Sequence, residues 1–77
     1  MALIRALECK PMERNSIHEE IDGTYTIFVK DGNRFIQIDS YGRESRALPG
    51  KKSQSIQLNQ ESALTLFRVL RSEFGFE

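Results

Sequence analysis

Between residues 30 and 52 stand six basic side chains, Lys30, Arg34, Arg43, Arg46, Lys51 and Lys52, against three acidic ones. Two phenylalanines, Phe28 and Phe35, sit at the start of this run, with Gln37 just beyond. Cations along a groove neutralise phosphates, and flat rings offer bases a stacking surface worth about 1–3 kcal/mol per base. No other segment combines these types. Residues 1–29 hold three basic and five acidic side chains, and residues 53–77 hold two and three. The net charge of the 77-residue chain is zero. That balance counts against strong nonspecific binding, because counterion release scales with the number of phosphates neutralised. What remains is a local basic patch whose partner is read from its context.

Catalytic and metal-binding patterns find little support. Cys9 has no general-base partner arguable from the sequence and reads as an inert or half-buried thiol. His18 lies in an acidic stretch with Glu19 and Glu20 and reads as solvated. Glu19, Glu20 and Asp22 lack the spaced oxygen ligands of a calcium loop. Gly32, Gly42 and Gly50 are isolated turn glycines rather than a phosphate cradle. With one Cys and no Cys/His cluster, neither a disulfide nor a structural zinc is expected. No cofactor is expected, and the chain does not read as an enzyme.

The elements that must position the patch follow from periodicity. Residues 24–30, TYTIFVK, alternate in a half-buried strand pattern, and RFIQID returns after Asp31-Gly32. Asp-Gly suits a two-residue type I′ turn, in which both central residues need positive φ. With that turn, Lys30 pairs with Asn33, Ile27 lies opposite Ile36 and Tyr25 opposite Ile38, forming with Val29 one apolar face. The other face carries Thr24, Thr26, Phe28 and Lys30 with Phe35 and Gln37. SQSIQL adds Ile56 and Leu58 to the first face and Ser55 and Gln57 to the second. Ile17 and Ile21 share parity with Tyr25, so a further strand or an extension through 16–22 is expected, with Gly23 marking a bend or bulge. Residues 1–15, containing Pro11 and mixed charges, read as a flexible or irregular segment; residues 16–77 form one domain.

Asn59 is a good helix N-cap, Glu61 sits favourably in the first turn, and Leu58 and Ala63 occupy the staple positions. Ala63, Leu66, Phe67, Leu70 and Phe74 recur on one helical face, and Gly75 suits the residue after the helix, with Phe76 folding back on Leu70. Leu64 and Val69 widen the apolar surface beyond what one small sheet covers. A chain this short has a marginal core. Homodimerisation through Leu64, Phe67, Leu70 and Phe74, helix to helix, is the expected supplement.

The run from Lys30 to Phe74 contains FIQID, a Tyr, an acidic-basic loop, PGKK, an Ile-x-Leu strand (SIQL) and an Asn-x-Glu helix start. In order and local motif it resembles the single-stranded-DNA-binding domain of transcriptional coactivators of the positive-cofactor-four type. The resemblance covers a little over half of the chain. It departs at Ser53-Gln54-Ser55, where that family has one Gly, and at Ser62 and Ala63, where it has an aromatic. Short bacterial proteins of unassigned role share the FIQID, YG, PGK and SQSIQ pattern as well, which implies no activity. The resemblance implies a coactivator-like ββββα order with the PGKK loop at the mouth of a nucleic-acid groove.

The combined expectation is an α+β domain: a curved antiparallel sheet of three to four strands with one carboxy-terminal helix packed on it. Its expected role is binding single-stranded or melted DNA, or RNA, in transcription, replication or repair. Phe28, Lys30, Arg34, Phe35, Gln37, Arg43, Arg46, Lys51 and Lys52 form the candidate surface. The rival is a protein-interaction module, such as a small phage-type inhibitor or regulator that grips a larger protein with the same face. There Phe28 and Phe35 are a cross-strand pair closing an interface, and Lys51 and Lys52 an ordinary solvated loop. The amino terminus, interrupted by Arg5, Glu8 and Lys10, lacks the apolar stretch of a signal peptide or membrane span, so a cytoplasmic location is expected.

Overall fold

In a computed structural model, which describes residues 1–41 and 54–77, Asp31 and Gly32 take φ of 54° and 78°. These are the two left-handed residues of the expected tight turn. They join β2 (Gly23–Lys30) to β3 (Asn33–Ser40), and the pairing runs without interruption from Lys30↔Asn33 to Gly23↔Ser40. Ile27 faces Ile36 and Tyr25 faces Ile38, as the turn dictates. β4 (Gln54–Leu58) pairs antiparallel with β3, placing Ile56 beside Ile38 and Leu58 beside Ile36. Two rows of apolar residues therefore cross one face, Tyr25–Ile38–Ile56 and Ile27–Ile36–Leu58.

A fourth strand comes from within the segment read as irregular. β1 (Ala2–Ile4) pairs parallel with β4, so the sheet order is β1-β4-β3-β2 and β2 is a full-length edge. The sheet is thus mostly antiparallel. Residues 5–22 form neither helix nor strand, so the strand or extension expected over 16–22 is absent. Ile17 is 98 % exposed there. Gly23 makes no bulge; it opens β2 with its backbone so close to β3 that a Cβ would lie 3.3 Å from the Asp39 carbonyl oxygen.

Helix α1 (Gln60–Phe74) starts one residue after β4. The Asn59 Oδ1 accepts from the Ser62 backbone N–H at 2.9 Å, and Ser62 Oγ accepts from the Asn59 N–H at 3.0 Å. This reciprocal box satisfies two otherwise orphaned donors, with Ser in the place usually taken by Glu or Gln. Ser62 is fully buried. Replacing Asn59 by Ala is expected to lower stability by about 1 kcal/mol; a urea titration showing no change in midpoint would mean that the helix is held by packing alone. Gly75 ends the helix at φ 71°. Phe76 then stacks on Phe74, ring centroids 5.5 Å apart.

The helix packs on β3 and β4. Leu58, 5 % exposed, is the buried apolar side chain among the described residues. Cover fades along its row, through half-buried Ile36 to exposed Ile27.

Candidate nucleic-acid interface

Alternation along β2 and β3 brings Phe28 and Phe35 opposite each other on the polar face. Their rings stack with centroids 5.4 Å apart and planes 25° apart, and both are half-buried. Lys30 and Thr26 share this face by parity, and Thr24 Oγ1 lies 2.9 Å from the Tyr41 hydroxyl. Tyr41 is therefore tied to the end of β2, as a strand-end residue would be.

Arg34 has the opposite parity and pairs with Val29, so along the strand it belongs to the apolar face. It nonetheless borders an open cleft at the end of the sheet, together with Asn33, Phe35, Arg5, Asn59, Gln60, Glu61 and Leu64. Arg5 was not among the expected residues. It reaches this end because β1 runs parallel to β4 and stops level with Leu58. No periodicity in the first fifteen residues announces that.

Gln37 is engaged inside the sheet. Its Nε2 donates to both Asp39 carboxylate oxygens, at 3.0 and 3.2 Å, and its Oε1 accepts from Gln57 Nε2 at 2.9 Å. Ser55 Oγ donates to the same carboxylate. Asp39 is 2 % exposed and Ser55 is buried, so half of the face read as open is a closed polar network. A buried carboxylate is tolerated when several donors converge on it. Asp39 was not among the residues expected on this face; its parity with Gln37 along β3 and its place opposite Ser55 are the signal that could have found it.

Arg43, Arg46, Lys51 and Lys52 lie outside the described residues. The surface the structure brings together is Phe28, Phe35 and Lys30, with the cleft carrying Arg34 and Arg5 beside Phe35. Of the residues expected at a dimer interface, Leu64, Phe67 and Phe74 are exposed and Leu70 is half-buried. Among the described residues no group of three or more His, Cys, Asp or Glu is placed to hold a metal ion, and no helix is long and apolar enough to cross a membrane. Cys9 is exposed. Set against protein-family models, curated proteins and solved structures, the chain matches none.

Proposed function

We propose that this protein is a cytoplasmic, homodimeric, non-enzymatic module that binds single-stranded or locally melted nucleic acid in transcription, replication or repair. The observation that carries the reading is the stacked Phe28–Phe35 pair on the polar sheet face, bordered by a cleft that holds Arg5 and Arg34. Aromatic platforms edged by cations suit a flexible strand whose bases are free to stack, whereas a duplex presents its bases only at groove edges. Lys30, Arg34 and Arg5 would take phosphates at the hairpin end. Arg43, Arg46, Lys51 and Lys52 would extend that path, as the motif resemblance to the coactivator domain implies.

Fluorescence-anisotropy titration against a labelled mixed-sequence single strand and its duplex, at two salt concentrations, tests the reading. The expected result is preference for the single strand with a salt-dependent affinity. Changing both Lys51 and Lys52 to Glu is expected to weaken binding and flatten the salt slope by about 1.4, two contacts at about 0.7 each for single strands. No binding at low salt would overturn the proposal. It would favour a second reading, supported by zero net charge: the aromatic pair is then the centre of a protein interface with a polar rim. Nuclease treatment of an affinity-captured complex separates the two, since only a nucleic-acid complex falls apart.

A further inference from the structure

The polar network on the sheet ends at an open pocket. Asp39 accepts from Ser55 Oγ and from Gln37 Nε2, Gln37 Oε1 accepts from Gln57 Nε2, and half-buried Gln57 is the last side chain of the line. Among the described residues nothing takes up the second Gln57 N–H or its Oε1. None of their buried side-chain polar atoms lacks a partner, so that oxygen is open to solvent. Gln57, Gln37 and Ser55 line a pocket of about 350 Å³ with Met1, Ala2 and Leu3. That volume is at the lower end of the range of small-ligand sites.

The direction of every bond in the line is set from its Asp39 end. A carboxylate only accepts, so Gln37 turns its amide nitrogen to Asp39 and its oxygen to Gln57. Gln57 must then spend one N–H on Gln37. What it keeps for the pocket is fixed: one acceptor, Oε1, and one N–H donor on a planar amide. A lone exposed glutamine would turn freely and lose this preorganisation.

The register puts the amide beside the aromatic platform. Gln37 follows Phe35 by two residues, so both lie on the polar face about 7 Å apart along the strand. Gln57 pairs with Gln37 across to β4, and Leu3 pairs with Gln57 from β1, giving the pocket an apolar wall. A base stacked on Phe35 leaves its neighbour in the strand over this row.

We infer that Gln57 reads the edge of one base of a bound single strand, and that this base is adenine. Unstacked bases offer both their Watson–Crick and their Hoogsteen edges. On the Hoogsteen edge only adenine sets a donor beside an acceptor, N6–H beside N7, the pair that glutamine takes. Its Watson–Crick edge repeats the pattern with N6–H beside N1, so adenine meets the amide with either edge. Base reading at Gln57 presupposes the nucleic-acid binding proposed above and adds a base preference to it.

Fluorescence anisotropy with three labelled thymine strands of about 12 nucleotides tests it, the central third being thymine, adenine or unsubstituted purine. Unsubstituted purine keeps the stacking surface of adenine and lacks the 6-amino group, which separates edge reading from stacking. The wild type is expected to bind the adenine strand about 5-fold or more tighter than the purine strand, the lower end for a bidentate base contact. Gln57→Met should bring the adenine strand to the affinity of the purine strand, with circular dichroism confirming the fold. Gln57→Asn keeps an amide, draws it back by one methylene, and carries the same expectation where the methionine variant does not fold. Equal affinity of the wild type for the adenine and purine strands would overturn base reading and leave the nucleic-acid proposal standing. So would a preference that survives in the folded Gln57 variants, since the amino group would then be read elsewhere. No binding to any of the three strands would overturn both.

Discussion

Replacing Asp39 by Ala is expected to lower stability by about 3 kcal/mol, the largest effect of any single truncation on the polar face. The carboxylate collects Ser55 Oγ and the Gln37 amide, and it sits at 2 % exposure, where water cannot take its place without local opening. Its loss leaves buried donors with no acceptor, and the Gln57–Gln37 bond then loses the group that fixes Gln37. Asp39→Asn keeps the shape but turns one acceptor into a donor facing Gln37, so an intermediate loss is expected. Small domains are held by only a few kcal/mol, and Leu58 is the buried apolar side chain among the described residues, so a change of this size is a large part of the total. Urea denaturation at one fixed protein concentration measures it, with concentration held constant because association shifts apparent stability. A variant as stable as the wild type would show that the network is wet and that the sheet face is open after all.

How far the fold was legible depended on whether a local rule fixed each element. Asp31-Gly32 set the hairpin register to the residue, because two adjacent positive φ angles admit few other sequences and the pairing of every later residue follows. The helix was legible from Asn59 and from its apolar stripe, though Ser62 gained its buried capping role only from the geometry. β1 was not legible. Three residues give no period, and a parallel partner more than fifty residues away leaves no local trace. The site was legible in outline: parity put Phe28 against Phe35. It did not tell that Arg5 would arrive at the cleft, which depends on the pairing of β1 with the distant β4; Arg34's opposite parity and the Gln37–Asp39 contact two residues along β3 followed from the hairpin register and strand alternation and were passed over.

Phe35→Leu separates the stacking role from the structural one. Leucine keeps most of the apolar bulk beside Phe28 but removes the flat face, so a purely structural pair should lose its 5.4 Å ring stack and little else. If Phe35 is a base platform, affinity for a single strand is expected to fall by about 5- to 150-fold, the equivalent of about 1–3 kcal/mol per base, with the melting temperature moved by only a few degrees. The salt slope should stay as it was, because no cation is removed. Phe28→Leu should act in the same direction, and the double variant should lose less than the sum of the two, since the rings share one stacked unit. Unchanged affinity together with a lowered melting temperature would assign the pair to holding the hairpin, and the nucleic-acid reading would then lose the observation on which it rests.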